Sequence, residues 1–295
     1  MTFEEFQDYI EQHILDGWME NAEVTITSVR KNNGIIYKGL HIRAEQESVS
    51  PSIYLDDYYA YYLRGESLEA IIRRIREEYV WAMEKVASYH INLSRFEYIK
   101  DRVIYRLVNY EKNKEILEDC PFIRLYDLAV TFRWVAHSDE IGVSTALITK
   151  QELELWNISL HELLLTAQNN TRRLFPPRIV DLNHLLQQMG KDISEFEDSV
   201  PMYVMTNEQQ INGATVLIYD NVIQEFACQK NTSLYILPSS IHEMILIPAE
   251  EFGDPSGLRA LVREANHSIV SLGDILSDSV YFYDLERKKI VLLAD

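Results

Sequence analysis

Apolar residues along the chain recur at two spacings, and the switches between them mark out its elements. Near the start, Phe3, Phe6, Ile10, Ile14 and Trp18 fall at helical spacing, and Thr2 with Glu5 makes a capping-box pattern. The runs VTITSVRK and IIYKGLHIRA read as strands. Asn32-Asn33-Gly34 between them predicts a hairpin, because Asn and Gly tolerate positive φ. Pro51 introduces SIYL and the tyrosine-rich DDYYAYYLRG. Beyond Gly65 and Ser67, a long helical stripe runs through Leu68, Ile71, Ile72, Ile75, Tyr79, Met83 and Val86. This part predicts a helix, a small antiparallel sheet and two covering helices.

From Arg102 the order of elements changes and then repeats. The first pass reads RVIYRLVN as a strand, EKNKEILED as a short helix, IRLYDLAVTFRWVAH and GVSTALIT as strands, then a helix from Ser159. The second reads MYVMT as a strand, GATVLIYDNVIQEFA as a helix, SLYIL and MILIP as strands, then a helix from Ser256. In the closing helices Leu160, Leu163, Leu164 and Ala167 correspond to Leu258, Leu261, Val262 and Ala265. Upstream, Ile148, Glu152 and Leu153 fall opposite Ile247, Glu251 and Phe252. Amphipathic helices share such stripes in general, so element order carries the inference of a duplication. VYFYD and KKIVLL close the chain as a hairpin.

The expected fold class is therefore α+β: an N-terminal helix and small antiparallel sheet with covering helices, then two related β-α-β-β-α units. The boundaries are 1–93, 94–175, a linker with a short helix over 176–199, and 200–295. Pro176-Pro177 and the polar GKDISEFEDS flank that helical stretch, Asp181 to Met189.

Charge narrows the partners. The 295 residues hold 46 Asp and Glu against 28 Lys and Arg, a net charge of −18. A diffuse negative field disfavours nucleic-acid backbones and anionic membranes alike, so neither is expected as a partner. Two cysteines, Cys120 and Cys228, make no disulfide framework and no four-thiolate metal site. The N-terminus lacks the basic and apolar regions of a signal peptide, and no uncharged apolar run reaches membrane-spanning length. A cytoplasmic location is the expectation. No cofactor is expected, since neither GxGxxG, GxxxxGK[ST] nor GxSxG occurs among only 10 glycines, and no metal ligand is assigned.

Candidate chemistry concentrates in one polar segment, Pro238-Ser239-Ser240-Ile241-His242-Glu243, between two apolar strands. Ser239, Ser240, His242 and Glu243 supply hydroxyl, imidazole and carboxylate, the parts of acid–base or nucleophilic chemistry. Neighbours so close in sequence rarely serve one another as nucleophile and base, so no catalytic residue is assigned. A hairpin turn is the competing reading, and His137 or Asp254 would have to join the segment to build a pocket. His161-Glu162 lacks the second histidine of a helical zinc motif, since Leu165 stands there, and Ser159 with Glu162 reads as a capping box. Tyr54, Tyr58, Tyr59, Tyr61 and Tyr62 read as core packing, with an interface as alternative. Arg73, Arg74 and Arg76 are offset by Glu69, Glu77 and Glu78, a solvated helix face. Cys228 reads as packing.

PSIYLDDYYAYYLRG and NGATVLIYDNVIQEFACQKNTSLYILPSSIHEMILIP resemble a family of unknown function abundant in anaerobic gut Firmicutes. The resemblance spans nearly the whole chain, and PSSIHE is its most distinctive part. It implies a cytoplasmic bacterial protein and brings no activity with it. Element order is also similar to secretion-chaperone and regulatory modules, a likeness of fold alone. The leading expectation is a non-enzymatic binding or regulatory protein with a protein partner, acting through a sheet face or groove. A hydrolase centred on Pro238–Glu243 is the alternative. An acidic nucleic-acid mimic is the weaker one.

Overall fold

The computed structural model describes residues 1–44, 51–87, 92–138, 142–192, 200–252 and 254–293, with residues 85–87 described by backbone alone. The chain forms two compact units, one of Met1–Lys31 with Ile35–Ile91, the other of Asn32–Gly34 with Asn92–Asp295. It is α+β throughout.

In the first unit, helix α1 (Phe3–His13) starts at the expected capping box, Thr2 with Glu5. Strands β1 (Ala22–Arg30) and β2 (Ile36–Ala44) pair antiparallel from Ala22↔Ala44 to Arg30↔Ile36. Asn33 and Gly34 take the positive φ that the turn needs, 59° and 73°. Strand β3 (Ile53–Tyr54) adds to β2 and runs directly into α2 (Leu55–Leu63), which α3 (Leu68–Ala87) follows. Phe6, Ile10, Ile14, Leu40, Ile42, Ile53, Leu55, Ile71, Ile75 and Tyr79 make one buried core. The helical stripe thus does what its spacing predicts; Val86, its last member, lies outside the described side chains. Arg76 departs from the solvated face expected of it. Its guanidinium donates to the carbonyls of Ile14 (2.9 Å), His13 (3.3 Å) and Asp16 (2.9 Å), closing the C-terminal end of α1.

The second unit holds two antiparallel sheets. After α4 (Phe96–Ile99), β4 (Val103–Asn109) leads to α5 (Lys114–Asp119), and β5 (Phe122–Leu125) turns through Tyr126 into β6 (Leu128–Ser138). Strand β4 pairs along its length with Leu128–Trp134 of β6, while β5 and β7 (Val143–Leu147) share the opposite edge of β6. Helix α6 (Lys150–Trp156), which periodicity had not separated, starts at a second capping box, Thr149 with Glu152. Helix α7 (Leu160–Leu174) starts at Ser159 as expected, and His161 is exposed in its first turn.

Strand β8 (Pro177–Asp181) and helix α8 (Leu182–Gln188) occupy the stretch expected as a linker. The short helix is there, but β8 is a sheet edge that pairs with β9 (Tyr203–Asn207). Proline is tolerated on an edge strand because its missing N–H faces away from the ladder. Residues 193–199 of that stretch lie outside the described residues. The expected single helix over GATVLIYDNVIQEFA is two pieces, a 3₁₀ turn over Gly213–Ile218 and α9 (Val222–Lys230). Asn221, at φ 64°, breaks them apart. Strands β10 (Leu234–Pro238) and β11 (Met244–Pro248), helix α10 (Leu258–Ser268) and the hairpin of β12 (Tyr281–Asp284) and β13 (Lys289–Leu292) complete the chain. The six-stranded order is β13-β12-β10-β11-β9-β8.

The two sheets repeat one arrangement, β5-β6-β4 in the first and β10-β11-β9 in the second, every pair antiparallel. By strand order β6 stands where β11 does. The pairing of Ile148 with Ile247 read from sequence instead sets the end of β7 opposite the end of β11, and by strand order β7 and α6 have no counterpart in the second arrangement. The outer edge of β4 is closed by side chains. Thr171 Oγ1 accepts the Tyr105 N–H (3.0 Å), Thr215 Oγ1 accepts the Leu107 N–H (3.3 Å), and Asn170 Nδ2 donates to the Val103 carbonyl (2.9 Å). Edge groups answered in this way offer no template to another strand.

Candidate functional site

The Pro238–Glu243 segment is the turn of the β10–β11 hairpin. The Glu243 carbonyl accepts the N–H groups of Ser239 and Ser240 (3.2 Å each), the Ser240 hydroxyl accepts the His242 N–H (3.0 Å), and the Ser239 hydroxyl donates to Glu243 Oε1 (3.2 Å). A distant stretch holds the turn in place. Gly213 lies so close that a Cβ there would fall 2.4 Å from the His242 carbonyl oxygen and 2.1 Å from Thr206 Oγ1. Only glycine fits. Thr206 Oγ1 donates to the same carbonyl (2.8 Å), and the Ile241 N–H donates to the Asp274 carbonyl (2.8 Å). The NGATV and PSSIHE parts of the sequence therefore meet in space.

The His242 ring is oriented from both sides. Nδ1 accepts the Asn212 N–H at 3.2 Å, and Nε2 faces Asp274 Oδ1 at 3.6 Å, an electrostatic contact longer than a hydrogen bond. A neutral imidazole has one lone pair for accepting a proton, and the backbone of Asn212 occupies it. Neither Ser239 nor Ser240 gains a base in this geometry. The carboxylate that reaches His242 is Asp274; Asp254 accepts instead from Ser256 at the start of α10, and His137 belongs to β6. The four candidate residues are brought together, but as a braced turn.

The tyrosine cluster divides. Tyr59 and Tyr62 turn toward α1, with ring centroids 4.9 Å from Phe3 and 5.9 Å from Phe6 respectively. Tyr54, Tyr58 and Tyr61 turn the other way and, with Trp81 of α3, wall a groove of about 710 Å³ within the first unit. Asp57, Glu77, Glu78, Arg64 and Arg74 complete the charged part of the lining. Arg74 Nε is held by Glu66 at 2.6 Å, and its guanidinium lies 5.3 Å over the Tyr61 ring. Tyr58 donates its hydroxyl to Glu78, and burial followed by that carboxylate pushes the phenol's pKa well up. Asp57 and Glu77 have no ion-pair partner among the described residues. Tyr61 is 37% exposed and Trp81 49%, so both of these aromatic residues of the lining reach solvent.

Cys228 is exposed on the last turn of α9, contrary to the packing role read from sequence, whereas Cys120 is buried. The apolar face of α9 belongs to Val222, Ile223 and Ala227, and Cys228 falls off it. Among the described residues no helix is long and apolar enough to cross a membrane, and no three His, Cys, Asp or Glu side chains converge as a metal site would need.

Searches of curated proteins and of solved structures gave no match to the chain. A family model does match, over residues 3–285: the chain belongs to DUF5688, a family of unknown function.

Proposed function

We propose that this is a non-enzymatic binding protein whose α2–α3 groove takes a basic segment of a protein partner. One observation carries the reading: an open groove walled by Tyr54, Tyr58, Tyr61 and Trp81 in which Asp57 and Glu77 have no ion-pair partner among the described residues. Aromatic faces attract Lys and Arg through the ring quadrupole, and Tyr and Trp are enriched at interface hot spots. Arg74 over Tyr61 is a stand-in for such a cation, already seated on the ring. The lining sets three carboxylates against two guanidiniums, one of them held by Glu66, and the net charge of −18 steers positive partners in the same sense.

Display of random peptides against the full-length protein tests this. Enrichment of sequences carrying Lys or Arg, lost with Glu77→Lys and with Trp81→Ala, is the expected result. Enrichment of acidic or uncharged sequences, or of basic ones indifferent to both substitutions, would overturn it.

A further inference from the structure

The six-stranded sheet of the second unit ends at β13 on one side and at β8 on the other, and the two edges differ. In an antiparallel ladder, alternate residues turn their N–H and carbonyl toward the neighbouring strand and the rest turn theirs away. At β13 the Ile290 carbonyl accepts the Tyr126 hydroxyl (2.5 Å), beside the exposed Lys289. A side chain and a charge thus guard that edge. At β8 the Leu182 N–H donates to the Met202 carbonyl (2.9 Å), and the Glu208 N–H donates to the Pro176 carbonyl (3.0 Å). With the register of β8 on β9, these bonds set the even-numbered residues toward β9. Pro177, Ile179 and Asp181 therefore face outward. Among the described residues, nothing meets the Ile179 N–H, the Ile179 carbonyl or the Asp181 N–H.

We propose that β8 is the seam of a homodimer, paired antiparallel with its own copy about a two-fold axis at Ile179. The backbone pattern is self-complementary under that operation. Each Ile179 exchanges N–H···O bonds with its copy, and each Asp181 N–H reaches a Pro177 carbonyl. The one donor missing from the pattern is the N–H that proline lacks. Its acceptor would be the Asp181 carbonyl, which at the cap of α8 already accepts the first N–H of that helix.

The side chains agree with the backbone. Pro177, Ile179 and Asp181 share one face, where with Tyr203 and Phe226 they line a groove of about 430 Å³. Pairing brings two such grooves together across the Ile179 contact. Arg172 lines the groove as well, in the last turn of α7, which leads into Pro177; its guanidinium donates to the Asp220 carbonyl (2.9 Å). Asp181 Oδ1 accepts the His184 N–H (3.1 Å). Neither Arg172 nor Asp181 makes an ion pair among the described residues. Asp181 of the second copy, set opposite Pro177, meets Arg172 at that end of the groove. The contact occurs twice by symmetry, and such rim charges fix register and orientation.

The test is sedimentation velocity of the full-length protein over a range of concentrations, with hydrogen exchange on the same samples. A monomer–dimer equilibrium is expected, with the Ile179 and Asp181 amides gaining protection as the dimer fills. Ile179→Pro removes the outward N–H and no bond to β9, a change that an edge strand tolerates, and should abolish the dimer. Asp181→Asn keeps a capping residue for α8 while removing both ion pairs, and should raise the dimer Kd about fivefold. If Ile179→Pro does not fold, Asp181→Asn and the exchange data decide. A monomer at every concentration overturns the proposal. So does a dimer that leaves the Ile179 and Asp181 amides unprotected, or one indifferent to these substitutions.

Discussion

The turn at residues 239–243 and the groove between α2 and α3 both collect polar side chains, yet those groups are employed differently. At the turn, the His242 lone pair, the His242 carbonyl and the Ser239 and Ser240 N–H groups all have partners within the protein. At the groove, Asp57 and Glu77 have no ion pair among the described residues. Polar groups answered from within hold a fold together, whereas groups left unanswered are available to something from outside. The segment richest in catalytic residue types is therefore the less promising site.

The sharpest way to break this contrast is to disturb the turn and ask whether only stability suffers. Gly213→Ala forces a methyl against the His242 carbonyl and Thr206, and should cost about 3 kcal/mol in urea unfolding, the upper range for overpacking. A loss near zero would mean that the turn is not braced by this contact. His242→Ala removes the acceptor of the Asn212 N–H and should cost about 1–2 kcal/mol while leaving peptide capture by the groove intact.

A smaller effect probes the groove's own floor. The Tyr58 phenol is raised by burial and by Glu78, so it keeps its proton above the pH at which the unfolded chain loses it. The stability it contributes is whole below about pH 10, the ordinary tyrosine value, and declines as pH rises toward the folded value. Tyr58→Phe should therefore flatten part of the fall in urea midpoint between pH 9 and pH 11. An unchanged slope would show that Tyr58 is not held as described. The mildest probe leaves stability alone: a thiol reagent at neutral pH should label the exposed Cys228 at once. Cys120, buried and pushed up to about 11, should be labelled only after denaturant is added. Two labels on the native protein would contradict its burial.

Local signals in the sequence were legible where a few adjacent residues decide the outcome. Thr2 with Glu5 starts α1, Ser159 starts α7, and Asn33-Gly34 turns the first hairpin, each through bonds or dihedrals within a few residues. The repeated element order survives only in part: IRLYDLAVTFRWVAH, read as one strand, is the hairpin of β5 and β6, and what the two stretches share is the antiparallel arrangement of β5-β6-β4 and β10-β11-β9. Pro176-Pro177 misled because a proline excluded from a central strand is tolerated on an edge, and edge position is a property of the whole sheet. The brace on His242 was hidden because Asn212 and Asp274 lie about thirty residues to either side of it in sequence. Arg106 of β4 did leave a trace. From Val103 to Val108 the strand is apolar on both faces except at that arginine, and a charge inside a doubly buried strand calls for a partner. That a second arginine, Arg133, stands diagonally across from it follows from the register of β4 on β6, which no local pattern specifies.

The most direct measurement is calorimetric titration of a display-selected basic peptide into the wild type, Trp81→Ala and His242→Ala. A loss of affinity of about tenfold or more with Trp81→Ala is expected, the scale of a desolvated cation–aromatic contact at an interface, with His242→Ala close to wild type. The reverse pattern, with binding abolished at His242 and untouched at Trp81, would place the site at the turn and contradict the groove.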